Sequence, residues 1–165
     1  MLHEVRVAGL TLDQASNTPI LILKSADDKY SIPIWIGLLE ATSIASVLQE
    51  INFDRPMTHD LFRNFMGLMN VDLVKVEVCD LKDNTFYAKI FFMSGEKNFS
   101  MDARPSDAIA LGLRFKAPIF VDDKVLSKFK TEDLKHEIVD DSEEGKKWAE
   151  YLEKLSPEDF GKYKV

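Results

Sequence analysis

Cysteine is almost absent from this chain of 165 residues: Cys79 stands alone. A single thiol excludes an internal disulfide framework and a zinc site built on several cysteines, and it fits a reducing cytoplasm. Long apolar runs are missing as well. No stretch reaches the roughly eighteen apolar residues that a membrane-spanning helix needs. Met1-Leu2-His3-Glu4-Val5-Arg6 reads as the start of a strand, not as a secretory leader. A cytoplasmic protein with no membrane partner is the expectation. Basic excess is lacking too. Lys and Arg number 21 against 28 Asp and Glu, a net charge of −7, and residues 1–140 alone carry 16 basic and 21 acidic side chains. Affinity for phosphate backbones comes from clustered Lys and Arg, so any nucleic-acid contact here requires a local basic patch or metal ions.

What the chain does contain is enough apolar residue, 45% of the total, to bury one good core. It also contains two echoing boxes. One is Arg55-Pro56-Met57-Thr58-His59-Asp60, the other Arg104-Pro105-Ser106-Asp107. In both, an arginine precedes a proline, a hydroxyl residue and an aspartate follow, and a stretch with helical apolar spacing comes next. Proline pushes the preceding arginine into an extended conformation and suits a first helical turn. Each box therefore brings a guanidinium, a hydroxyl, a carboxylate and free backbone N–H groups toward a helix start. That equipment suits an anion, and it is equally the equipment of ordinary helix capping.

Around the boxes the pattern predicts an α+β arrangement. Strands are expected over 3–12, over the apolar run Ile20-Leu21-Ile22-Leu23, and over 30–36, as an antiparallel meander. A helix of about 14 residues starts at Gly37, a typical length. Its stripe is Leu38, Ala41, Ile44, Ala45, Leu48 and Ile51, with Glu40 partly shielded at the edge. The helix after the first box carries Leu61, Phe62, Phe65, Leu68 and Met69 on one face. His59 flanks that face and Asp60 points away from it. Strands follow over 71–81, 85–93 and 98–102, joined by turns at Lys82-Asp83-Asn84 and Ser94-Gly95-Glu96-Lys97. The second box opens a helix that is apolar nearly all round and hence buried, followed by a strand at Pro118-Ile119-Phe120-Val121 and a turn or two of helix after Asp123. Trp35, Phe86 and Tyr87 are expected in the core, and His3 on the surface. The composition shifts at Asp140-Asp141-Ser142-Glu143-Glu144, where a helical tail bearing Trp148, Tyr151, Leu152 and Leu155 begins. The expected division is a single compact domain over 1–138 and a C-terminal helical tail over 139–165.

Four blocks carry a family resemblance. They are Ile34-Trp35-Ile36-Gly37 with Glu40-Ala41; Arg55-Pro56 with Thr58-His59-Asp60-Leu61; Lys82-Asp83-Asn84-Thr85-Phe86-Tyr87-Ala88; and Asp102-Ala103-Arg104-Pro105-Ser106-Asp107-Ala108-Ile109-Ala110 with Pro118-Ile119-Phe120-Val121. From about residue 3 to about residue 135 the chain resembles the bifunctional nuclease domain family. The resemblance implies an α+β fold with a mostly antiparallel sheet, a homo-oligomer, and an activity like that of plant relatives described as cleaving both RNA and DNA.

Cutting a phosphodiester takes an activated nucleophile, charge neutralisation at phosphorus and a proton for the leaving oxygen. Two routes are open. In one, Glu40, Asp60, Asp102 and Asp107, with His59 as a further ligand, hold Mg²⁺ or Mn²⁺. In the other, His59 moves the proton, because histidine titrates near neutrality, while Arg55 and Arg104 hold phosphoryl oxygens in their planar forks. The expected catalytic set is His59, Asp60, Asp107 and Glu40; the expected substrate-binding set is Arg55, Arg104, Thr58 and Ser106. Every one of these residues also has a plain structural use. Thr58 is a good N-cap, Asp60 and Asp107 sit where the helix dipole favours them, Ser106 suits a cap, and the arginines suit ion pairs with Glu40 or the aspartates. Two functions follow: a nuclease whose site lies where the boxes meet, or a non-catalytic oligomeric scaffold or ligand-binding regulatory protein held together by an Arg–Asp network.

Overall fold

Strand β1 (Leu2–Leu12) pairs antiparallel with β2 (Pro19–Ser25), and β2 with β3 (Ser31–Trp35), giving the expected opening meander. The structure, a computed structural model, describes residues 1–129. The remaining elements are α1 (Leu38–Leu48), α2 (Thr58–Leu68), β4 (Asp72–Lys82), β5 (Thr85–Ser94), β6 (Lys97–Ala103), α3 (Pro105–Phe115), β7 (Ile119–Asp122) and α4 (Asp123–Leu126). The tail boundary at 139 and the Trp148 helix lie outside the described residues.

The sheet has seven strands in the order β3-β2-β1-β7-β4-β5-β6. Every pairing is antiparallel except that of β4 with β7, so the fold is α+β with a mostly antiparallel sheet. The short strand β7 joins the two meanders by lying antiparallel to β1 and parallel to β4. The β4–β5 hairpin turns on Asp83 and Asn84, both with positive φ (47° and 58°). Asp and Asn tolerate that left-handed region, and two such residues in succession match the right-handed twist of the flanking strands.

Helix α3 is the centrepiece. Ala108, Ile109 and Ala110 are fully buried, and the helix lies against β4, β5, α1 and α2. It shares one core with Val76, Val78, Ala88 and Val121, all fully buried. Gly112 lets the helix approach β4 closely, since a Cβ there would stand 3.0 Å from a Val76 methyl. Tight packing of this kind makes lost volume expensive.

Helix α1 differs from expectation at both ends. Gly37 is its N-cap, and it stops at Leu48 because Glu50 turns left-handed (φ 55°) and Ile51 N–H bonds back to Ser46 O, so Ile51 lies beyond the helix. Helix α2 differs in orientation. Met66 is its buried residue, whereas Leu61, Phe65 and Leu68 are 60%, 56% and 82% exposed. Amphipathic spacing shows that a helix has an apolar stripe, not which neighbour covers it. Here the opposite edge, through His59, Asp60 and Met66, is turned toward the other helices. Trp35 is also exposed, its indole N–H donating to Asp13 at 3.0 Å, and so is Tyr87; Phe86 stacks on Phe129 with ring centroids 5.9 Å apart. His3 pairs with Asp123, which also meets the N-terminal amine at 3.1 Å.

Ile109→Ala should lower stability by about 2–5 kcal/mol, the range for a buried large-to-small change. Urea denaturation should show the midpoint falling with an unchanged slope.

Candidate functional site

The two boxes build different helix starts. In the second, Arg104 is itself the N-cap (φ −66°, ψ 144°), Pro105 opens the helix, and Ala108 N–H reaches back to Arg104 O at 3.0 Å. In the first, Met57 is the N-cap and Thr58, expected as the cap, is the first helical residue, so the helix begins one position earlier than expected. The reach-back is made by Asp60, whose Oδ2 accepts Met57 N–H at 3.1 Å. Arg55 therefore stands two residues ahead of its cap, whereas Arg104 is itself the cap of its helix. Arg55 is exposed and forms no ion pair with another described residue, while Arg104 is drawn into the helix cluster.

Asp107 is the hub of that cluster. Its Oδ2 accepts Arg104 Nε–H at 2.6 Å, and its Oδ1 meets His59 Nε2 at 3.0 Å. Arg104 continues to Glu40 Oε1 at 2.8 Å, and His59 Nδ1 continues to Ser43 Oγ at 2.7 Å. Side chains from α1, α2 and α3 are thus strung on one line of hydrogen bonds. Glu40 can fold back because Gly37 has no side chain; a Cβ there would collide with the Glu40 carboxylate.

A second line runs deeper. Arg114, its side chain 3% exposed, donates to Asp60 Oδ1 at 2.6 Å, to Ala110 O at 2.9 Å and to Ser43 O at 3.3 Å. Ser43 therefore touches both lines, through its hydroxyl and through its carbonyl.

Arg114 and Ser43 are not among the sequence candidates, although both leave a signal. Arg114 lies two helical turns after Asp107 in an otherwise apolar helix, and Ser43 lies one turn after Glu40. Of the other candidates, Thr58 is exposed at the start of α2, Ser106 is buried with 5% exposure, and Asp102 stands on the edge strand β6 opposite Lys89, outside the cluster.

The charges are set by these contacts. Burial opposes ionisation of Asp107, but the hydrogen bonds from Arg104 and His59, and their charges, outweigh it and hold the carboxyl below the ordinary aspartate range. Burial likewise opposes ionisation of Asp60, and is outweighed by the hydrogen bond and charge of Arg114, then by Met57 N–H and the nearby Arg63. Asp107 is therefore ionised at neutral pH and can only accept. With a neutral imidazole, Nε2 carries the proton and donates to Asp107, leaving Nδ1 to accept the Ser43 hydroxyl proton. As for a metal, the Glu40, Asp60 and Asp107 carboxylates each face a guanidinium. Among the described residues no three His, Cys, Asp or Glu side chains gather to hold an ion. With Glu40 and Asp107 both turned to Arg104 and Asp60 to Arg114, the donor set does not fit a carboxylate-held Mg²⁺ or Mn²⁺.

The bifunctional nuclease domain model matches residues 21–133, a span that contains both boxes and all seven residues of the two lines, so the chain belongs to the bifunctional nuclease domain family. An uncharacterised protein of Mycobacterium tuberculosis (strain H37Rv) is 37% identical over 166 residues, covering 96% of this chain and 98% of that protein. Bifunctional nuclease 1 of Oryza sativa subsp. japonica is 22% identical over 116 residues, covering 68% of this chain but 35% of the rice protein.

Asp60→Ala leaves the buried Arg114 charge uncompensated and should cost about 3 kcal/mol, whereas replacing both partners, Asp60→Leu with Arg114→Met, should cost clearly less. Denaturant titration of the three variants measures the difference. Because both aspartates titrate lower in the folded than in the unfolded chain, the stability they supply is full above the ordinary aspartate range. It is lost as pH falls through that range toward their folded values. Melting temperature measured between about pH 6 and pH 2.5 should fall less steeply in Asp107→Asn than in the parent protein.

Proposed function

We propose that this protein is a nuclease that hydrolyses phosphodiester bonds of RNA and DNA at the cluster of His59, Asp107, Arg104 and Glu40. The observation that carries the reading is the 3.0 Å contact of His59 with an ionised Asp107 that also binds a largely exposed arginine. An imidazole backed by a carboxylate is oriented for proton transfer and stabilised when it becomes positive. Arg104 keeps two-thirds of its side-chain surface in solvent, 65%, where its remaining N–H groups can meet a phosphoryl oxygen. Glu40 steadies that guanidinium. Asp60, held by Arg114, supports the helix that presents His59. Family membership adds the substrate class, since the rice relative is named a bifunctional nuclease.

A second reading, a non-catalytic oligomeric scaffold, draws on the exposed apolar face of α2, where Leu61, Phe65 and Leu68 stand ready for a second copy of the chain.

Single-stranded RNA and DNA should be cut by the wild-type protein, tested with and without Mg²⁺. His59→Ala and Asp107→Asn, purified in the same batch, should lose at least about 100-fold in rate, the scale of a lost general acid–base group. Equal cleavage by all three would assign the activity to a contaminant. Intact nucleic acid in every arm, with Arg104→Ala melting well below the parent, would favour the scaffold.

A further inference from the structure

Both ring nitrogens of His59 are already engaged, one by Asp107 and the other by Ser43. A water molecule could reach this imidazole only by displacing one of them. The proton that His59 is placed to take is the one on Ser43 Oγ, 2.7 Å from Nδ1. We propose that Ser43 is the nucleophile of this site and that Ser43, His59 and Asp107 act as a serine–histidine–aspartate relay. The proposal rests on the nuclease reading for its substrate and on geometry alone for its chemistry.

The neighbouring hydroxyls on α1 set Ser43 apart. Thr42 Oγ1 donates to Leu38 O at 2.8 Å, and Ser46 Oγ donates to Ser43 O at 2.9 Å. Returning a hydroxyl to a carbonyl three or four residues back is the usual fate of serine and threonine inside a helix. Ser43 instead directs its hydroxyl to a side chain on another helix, and that side chain is backed by an ionised carboxylate. The residue is half-buried, unlike Thr42 and Ser46, which are buried. The order of ring nitrogens is the reverse of the serine-protease arrangement, with Nδ1 toward the hydroxyl and Nε2 toward the carboxylate. The roles are unchanged, because either nitrogen accepts while the other donates.

In the first half-reaction Ser43 Oγ attacks phosphorus and its proton passes to His59 Nδ1. The ionised Asp107 stabilises the imidazolium. The phosphorus–oxygen bond to the leaving ribose oxygen breaks, and that oxygen takes the proton from Nδ1, leaving a phosphodiester on Ser43. In the second half-reaction water attacks the same phosphorus and gives a proton to Nδ1. The phosphorus–Oγ bond breaks and Oγ recovers the proton. One water is consumed, one nucleic-acid bond is cut, and the protein is restored.

An alkyl phosphonofluoridate reports the nucleophile without requiring nucleic acid, since an activated serine displaces fluoride and keeps the phosphonyl group. Intact-mass and peptide spectrometry on the wild-type protein should find one adduct, on Ser43. Labelling should be absent in Ser43→Ala and slower by at least about 100-fold in His59→Gln, provided the variants melt near the parent temperature. In the nucleic-acid assay Ser43→Ala should lose as much rate as His59→Ala. No adduct on Ser43 of the wild type, or equal labelling in His59→Gln, would overturn the proposal, and so would a slow Ser43→Ala with no adduct, which makes Ser43 a positioning residue. An adduct on Ser43 without nucleic-acid cleavage would support the nucleophile and overturn the nuclease reading. Cleavage undiminished in Ser43→Ala would do the reverse.

Discussion

The carboxylate of Asp107 is the point on which the helical layer turns. One oxygen takes the guanidinium of Arg104 from its own helix start, the other takes the imidazole of His59 from α2, and both partners continue to α1 through Glu40 and Ser43. Three helices that approach the sheet from different places in the chain are brought into register by one residue. The same contacts fix its charge. Because Arg104 and His59 outweigh the cost of burial, Asp107 stays ionised, and an ionised acceptor dictates which imidazole nitrogen holds the proton.

Beneath this lies the pairing of Asp60 with Arg114. A guanidinium 3% exposed is a costly thing to bury, and it is tolerated because a carboxylate and two backbone carbonyls take up its N–H groups. Buried ion pairs seldom add much stability over apolar residues of similar size. Their effect is directional: Asp60 must face α3, and His59, its immediate neighbour, is then aimed at the Asp107 carboxylate. The apolar stripe of α2 is left outward as a consequence, because the edge of the helix that carries the charges has been claimed by α3.

The charges of the cluster are arranged in close pairs. Overall the chain carries −7, and at this site two guanidiniums meet three carboxylates, Glu40 and Asp107 sharing Arg104 while Asp60 holds Arg114; much of the Arg104 side chain faces solvent. Under the proposed function the exposed part of Arg104 is the group left to meet a phosphoryl oxygen, and an acidic chain lends long nucleic acid little further attraction.

Much of this was legible in the chain. Alternation and turn chemistry disclosed the strands, since Asp83-Asn84 and Gly95 can adopt backbone conformations that most residues resist. The unbroken apolar character of the segment after Ala108 disclosed the buried helix, and the arginine–proline boxes disclosed where two helices begin. His59, Asp107, Arg104 and Glu40 stood out by residue type, and the structure does gather them. The order of the sheet, the outward turn of α2, the separation of Arg55 from the cluster and the parts played by Ser43 and Arg114 were decided by tertiary structure. Periodicity reports that a helix has an apolar side; which body meets that side depends on contacts between residues such as Asp60 and Arg114, 54 positions apart. A serine inside a helix looks the same in sequence whether its hydroxyl returns to its own backbone or crosses to a histidine on the next helix, and it is the packing of α1 against α2 and α3 that makes that choice.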